Sequence, residues 1–113
     1  MNVKEAAADA LERLHREGQE VAAHYKADAE AFVKEALFLM QERAVGLDPA
    51  RYAPHLAKDA AVSFACHKLG QGTLSQNMLA EFEARYRTWK NKARILEHRD
   101  SDYEYTTPYE DYR

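Results

Sequence analysis

Residues 74–99, LSQNMLAEFEARYRTWKNKARILEHR, decide the fold of this chain. Their apolar side chains recur every three or four residues and fall within an arc of about 100° on a helix. The members of this apolar face are Met78, Phe82, Tyr86, Trp89, Ala93 and Leu96. We therefore predict an amphipathic helix that buries this face, with the capping-box pair Thr73 and Gln76 at its start.

A second helix is predicted from Pro54 to Leu69, and it forms a hairpin with the helix just described. The loop Gly70-Gln71-Gly72 separates the two. Small side chains in the second helix let neighbouring backbones approach closely, so we expect it in the middle of the core. These small residues are Ala57, Ala60, Ala61, Ser63 and Ala65.

The N-terminal segment, from Asn2 to Val45, contains one glycine and no proline, so it is predicted to be helical. Its apolar seam runs from Val3 through Tyr25 to Met40, with a bend or a short interruption expected at Gly18. The predicted fold is therefore all-α, with a long N-terminal helix packed on a helical hairpin.

The composition limits the classes of function. The chain has 113 residues, of which 46% are hydrophobic and 31% charged, as in a single globular domain. The net charge of −3 excludes a protein that is basic over its whole surface. Cys66 is the one cysteine, which excludes an internal disulfide and favours a reducing compartment. Since the sequence has neither an apolar run of membrane-spanning length nor a signal-peptide core, we expect synthesis in the cytoplasm and no membrane partner.

The composition changes after the helical domain, which is predicted to cover residues 1–99. Residues 100–113 hold four of the seven tyrosines, five acidic residues and one basic residue. We interpret them as an extended acidic arm that gains its order on a partner, because tyrosine at this density favours an interface. A disordered, solubilising tail is the alternative. The predicted partner-binding side chains are Tyr103, Tyr105, Tyr109 and Tyr112.

Basic residues cluster on the last predicted helix and are the candidates for contacts between subunits or with DNA. These residues are Arg85, Arg87, Lys90, Lys92 and Arg94. On a helix they split into two stripes that flank the apolar face, as side chains with solvated heads do. A solvated or partner-facing role is the main interpretation, and contact with phosphates is the alternative.

Two pairs of side chains have spacings that bear on metal binding. Glu12 and His15 have the i, i+3 spacing of di-iron bundles, but such sites need a second copy of the motif. His55 and Asp59 are four residues apart on a helix, which favours a surface pairing. We predict no metal and no cofactor.

The candidates for catalysis are equally weak. Cys66 and His67 are sequence neighbours, so on a helix their side chains point about 100° apart and make a poor dyad. The loop Gly70-Gln71-Gly72 lacks the lysine of a phosphate-binding loop. The sequence therefore predicts a protein that is not an enzyme.

Two segments carry a resemblance to a known family. Residues 52–61, YAPHLAKDAA, lead into an alanine-rich helix, and residues 79–86, LAEFEARY, continue to Ala93 and Arg94. This hairpin, over about residues 52–99, resembles the small head-to-tail adaptor (connector) proteins of tailed bacteriophages. The longer opening segment 2–44 departs from the shorter opening helices of that family.

The resemblance implies a structural virion protein at the head-tail junction. Such a protein forms a homo-oligomeric ring, a dodecamer in that family, beneath the portal protein and extends the DNA channel. Its partners would be the portal, downstream tail or nozzle proteins, and DNA that passes through without sequence-specific binding. The alternative is a small helical regulatory protein, antitoxin-like or transcription-modulating, whose basic third helix binds nucleic acid.

Overall fold

The described part of the chain forms a bundle of four helices. The computed structural model describes residues 1–21 and 25–110, including their side chains except for those of residues 26 and 101–110. The helices are α1 (Val3–Arg16), α2 (Lys26–Arg43), α3 (Pro54–Leu69) and α4 (Gly72–Glu110). Within the described ranges there is no strand, and the predicted all-α class is confirmed. No helix among these residues is both long and apolar enough to cross a bilayer.

Helix α3 lies in the middle of the bundle, as predicted, and contacts α1, α2 and α4. It begins at Pro54 and ends at Leu69, the bounds expected from the sequence. Its small side chains are buried almost all round, which lets three helices pack against it at once. The buried small residues are Ala57, Ala60, Ala61, Ser63, Ala65 and Cys66.

The interruption expected at Gly18 is present and separates α1 from α2. Gly18 adopts a left-handed conformation with φ of +80°, which a side chain would make unfavourable. The amide of Gln19 then donates to the carbonyl oxygen of Leu14 at 2.9 Å and closes α1. Tyr25, expected on the apolar seam, is instead 44% exposed, because the seam loses its helical register across the interruption.

Helix α4 buries the predicted face, with Phe82 and Trp89 fully inside the core. The indole nitrogen of Trp89 donates to the carbonyl oxygen of Tyr52 at 2.8 Å, which fixes how α4 is rotated against the turn before α3. The helix begins at Gly72, so Thr73 lies inside it and is not the N-cap that the capping box predicted.

The last part of α4 overlaps the segment that the sequence predicts as an arm. The backbone is helical to Glu110, so residues 100–110 of the predicted arm continue α4. Between Thr73 and Thr107 the sequence has neither glycine nor proline, so nothing in it stops the backbone hydrogen-bond ladder. Residues 111–113 lie outside the described part of the chain.

Candidate interaction surface

The core of the α3–α4 hairpin determines which residues of α4 reach the surface. The ring of Phe64 on α3 meets that of Phe82 edge-on, with the ring centres 5.1 Å apart. Phe82, Tyr86 and Trp89 then follow one another along α4 at ring distances of 6.3 and 6.0 Å. Because these rings fix one side of α4 against α3, the basic residues are confined to its flanks and its outer side.

The first basic stripe contains Arg85 and Lys92. Arg85 is turned inward: its Nη2 lies 3.4 Å from the carboxylate of Glu81, and its Nη1 donates to the carbonyl oxygen of Asp59 at 3.5 Å. Lys92 is exposed. The charge of Arg85 is therefore largely balanced within the chain, and that of Lys92 faces solvent.

The second basic stripe contains Arg87, Lys90 and Arg94. The ammonium of Lys90 lies over the ring of Tyr86, 5.8 Å from its centre. The guanidinium of Arg94 donates to the carbonyl oxygen of Val45 at 3.3 Å and lies 3.5 Å from the carboxylate of Glu97. Arg94 thus helps to hold the turn after α2 against α4.

Two predicted cations, Arg87 and Lys92, are exposed and have no ion pair or hydrogen bond to the described side chains. They are five residues apart, which places them about 140° apart around the helix axis. The structure therefore does not bring the five predicted basic residues together in a single patch.

The four tyrosines predicted to bind a partner fall at the end of the chain. The backbone at Tyr103, Tyr105 and Tyr109 belongs to α4, and their side chains lie outside the described part of the structure. Tyr112 lies outside the described residues altogether.

A polar cluster that the sequence did not predict joins α1, α3 and α4. The guanidinium of Arg13 donates two hydrogen bonds, each of 3.2 Å, to the two carboxylate oxygens of Glu81. The fully buried Ser63 donates to the same carboxylate at 2.7 Å. Burial by itself raises the pKa of Glu81, but the hydrogen bonds from Ser63 and Arg13 and the charge of Arg85 outweigh it, so the pKa is lowered. The cluster is a charged cross-link between three helices.

Cys66 and His67 do not form a dyad. The thiol of Cys66 is buried and donates to the carbonyl oxygen of Ala10 at 3.4 Å, and burial raises its pKa to about 11. The thiolate is therefore scarce at neutral pH. The Nδ1 of His67 points elsewhere, 2.9 Å from the carbonyl oxygen of Ser75, whose hydroxyl donates to the carbonyl oxygen of His67 at 2.7 Å. These contacts brace the turn between α3 and α4.

The remaining candidate ligands are scattered. Glu12 and His15 are exposed on α1, and His55 and Asp59 are exposed on α3. Within the described residues no group of three or more His, Cys, Asp and Glu side chains is placed to hold a metal ion.

The glycine loop before α4 is held by the side chain of Gln19, which lies 52 residues before Gln71 in the sequence. The amide nitrogen of Gln71 donates to Oε1 of Gln19 at 2.9 Å, and Nε2 of Gln19 donates to the carbonyl oxygen of Gln71 at 3.2 Å. The backbone amide at the middle of the loop is thus already engaged within the chain.

Comparison with protein-family models, curated proteins and solved structures gave no match for this chain. What the protein does must therefore be inferred from its own residues.

Proposed function

We propose that the chain is a structural, non-enzymatic protein of a phage-like particle, a head-to-tail adaptor that assembles with its own copies into a ring around the DNA channel. The observation that carries this proposal is the α3–α4 hairpin itself. The resemblance to the adaptor family covers about residues 52–99, and over these residues the chain folds as a helical hairpin with a thin, small-residue helix at its centre.

The length of α4 supports an assembly role. Helix α4 has 39 residues against 16 in α3, its partner in the hairpin. At about 1.5 Å per residue, the difference corresponds to roughly 35 Å of helix without an antiparallel partner in the hairpin. We propose that this end of the chain, with Tyr103, Tyr105, Tyr109 and Tyr112, contacts the portal or a neighbouring subunit.

The charge distribution also fits a channel through which DNA slides. A protein that binds duplex DNA tightly presents several cations on one face and pairs them with phosphates. Here Arg87 and Lys92, the two of the five predicted cations that have no ion pair to the described side chains, lie on different sides of α4. A ring of such subunits would therefore not present these five cations to DNA as one continuous basic track.

The proposal is tested by fractionating a lysate of the native source on a density gradient and blotting for the protein. We expect it in the band of DNA-filled particles, at several copies per particle and in a fixed ratio to the portal protein. Its confinement to the soluble fraction would overturn the proposal.

A second measurement addresses nucleic-acid binding directly. Duplex DNA is titrated with the full chain and with the variant R87A/K92A, and K4A/R16A serves as a control because it removes two exposed cations from α1. A ring adaptor is expected to show weak binding that R87A/K92A changes no more than the control does. Tight, strongly salt-dependent binding that only R87A/K92A weakens would favour the regulatory alternative.

A further inference from the structure

Two large apolar side chains lie on the outer sides of the bundle, far from its core. Phe38 on α2 is 59% exposed and Ile95 on α4 is 55% exposed. Phe38 is five residues from Val33 and two from Met40 and Ala36, which places it on the side of α2 opposite these fully buried residues. A single exposed apolar side chain is common on protein surfaces, so the charges beside these two decide whether they form an interface.

Phe38 lies between two acidic side chains, and Ile95 lies between two basic ones at the same spacing. Glu35 and Glu42 lie three residues before and four residues after Phe38, and both are exposed. On a helix these spacings put all three side chains on one face, with the two carboxylates about 10.5 Å apart along the axis. We call Glu35, Phe38 and Glu42 the acidic face.

The same spacing occurs on α4 with the opposite sign. Lys92 and Arg99 lie three residues before and four residues after Ile95, and both are exposed. We call Lys92, Ile95 and Arg99 the basic face. Each face therefore has an apolar centre between two like charges, at equal separations and with opposite signs on the two faces. The acidic face also carries the exposed Lys34, four residues before Phe38, so its net charge is smaller than that of the basic face.

The basic face also has room for an aromatic ring. An open depression of about 460 Å³ lies at this part of α4, lined by Arg94, Ile95, Glu97, His98 and Arg99. This depression is shallow and open, so an exposed phenylalanine can lay its ring on it, against Ile95 and the alkyl part of Arg99.

We propose that the acidic face of one copy docks on the basic face of a second copy, with Phe38 lying on the depression beside Ile95. The two faces belong to different helices that both pack on α3, so each copy offers one face of each kind to its neighbours. A contact between two different faces is head-to-tail and generates a ring when the rotation closes. The inference deepens the proposed ring assembly and rests on it.

The ion pairs within the chain that compete with the proposed contact between copies are weak. The carboxylate of Glu35 lies 3.9 Å from the ammonium of Lys68, and both side chains are substantially exposed. An exposed pair of this length contributes little and is readily exchanged. Glu42, Lys92 and Arg99 have no ion pair to the described side chains.

The experiment is a charge swap, read as the mass of the full chain in solution by light scattering and native mass spectrometry. E35K/E42K makes both faces basic, and K92E/R99E makes both faces acidic. Each variant alone is expected to dissociate, with an affinity weaker by about tenfold or more. An equimolar mixture of the two is expected to reassemble, because each basic face then meets an acidic one.

Matched controls carry the same charge changes away from the two faces. E12K/E20K and K4E/R16E alter exposed residues of α1 and of the segment after it, and their oligomers are expected to be unchanged. Far-UV circular dichroism confirms that every variant is folded. F38S, which keeps the charges and removes the ring, is expected to weaken assembly while leaving the monomer's thermal midpoint unchanged.

The possible outcomes separate the interface from the function. Dissociation of both swap variants, with recovery in the mixture, supports the proposed contact. An oligomer that survives both swaps would overturn the contact, as would a wild-type chain that stays monomeric at high concentration. The proposed adaptor function is tested separately, by the density gradient. If the protein is found in the particle band but the charge-swap variants assemble normally, the adaptor function is supported and this interface is rejected.

Discussion

Replacing Glu81 by glutamine tests whether the cross-link between α1, α3 and α4 stabilises the fold. The substitution keeps the size of the side chain and removes the charge that Arg13 and Ser63 bind. Breaking a fully buried ion pair costs about 3–5 kcal/mol, whereas an exposed pair contributes about 0–1 kcal/mol. Arg13 and Glu81 are 25% and 24% exposed, so we expect a loss of about 2 kcal/mol in the free energy of unfolding.

The assay is urea unfolding followed by far-UV circular dichroism, with E83Q as the matched control. Glu83 also accepts from an arginine, Arg43, at 2.9 Å, but that pair is 37–41% exposed, so E83Q is expected to cost at most about 1 kcal/mol. Equal losses in E81Q and E83Q would refute the reasoning.

The pH dependence gives a second check on Glu81. Its pKa in the folded protein lies below the ordinary value of 4.5, so its stabilisation is fully present above pH 4.5 and is lost as the pH falls through the folded pKa. The difference in unfolding free energy between the wild type and E81Q is therefore expected to be largest near neutral pH and to shrink in acid. A difference that grows in acid would contradict the assigned direction of the shift.

Three further predictions follow from single contacts in the core. W89F removes the donor to the carbonyl oxygen of Tyr52 and leaves that buried acceptor without its indole partner; the expected loss is about 1–3 kcal/mol in urea unfolding, and no loss would show that the bond is dispensable. The thiol of Cys66, buried with a pKa of about 11, is expected to react with a thiol reagent only as fast as the fold opens, and rapid reaction of the native protein would contradict its burial. G70A places a Cβ 2.6 Å from the carbonyl oxygen of Cys66, so the backbone must shift. We expect a loss of about 1–3 kcal/mol in the free energy of unfolding, seen as a lower thermal midpoint. An unchanged midpoint would show that the backbone at the C-terminus of α3 can move without a cost in stability.

The sequence predicted helix bounds correctly where a proline or glycine that starts or ends a helix coincided with a change in the apolar periodicity. Pro54 and the glycine at position 70 bracket α3, and both bounds match the structure. The buried face of α4 follows from its regular spacing because large aromatic side chains dominate it. Gly18 predicted the interruption, although not where α2 resumes.

Contacts between distant parts of the chain were not predictable in this way. Arg13 and Glu81 are 68 residues apart, and each resembles an ordinary solvated residue of an amphipathic helix. Only the packing of α1 and α4 around α3 brings them together over Ser63. Ser63 alone could have indicated the cluster from the sequence. It is a polar residue among small residues that were all expected to be buried, and a buried hydroxyl needs a hydrogen-bond partner.

The placement of the basic residues around α4 was predicted in part. The division of the basic residues into two stripes follows from helical spacing and holds in the structure, but the sequence did not show which cations are engaged. Arg85 and Arg94 bond to backbone carbonyl oxygens from other parts of the chain, and such partners have no signature in local sequence. The acidic, tyrosine-rich composition after Asp100 marks the predicted arm, and the absence of a helix-breaking residue before Pro108 lets the helical backbone of α4 continue into it.

The paired hydrogen bonds between Gln19 and Gln71 have a mechanical consequence. The side-chain amide of Gln19 imitates a backbone partner, so the junction after α1 and the turn before α4 are fastened side by side at the same end of the molecule. These two hydrogen bonds therefore link the junction between α1 and α2 directly to the turn between α3 and α4. A force that a neighbouring molecule exerts on α4 would be passed in part to α1 through these two hydrogen bonds. Q19A would remove this link between the two helices.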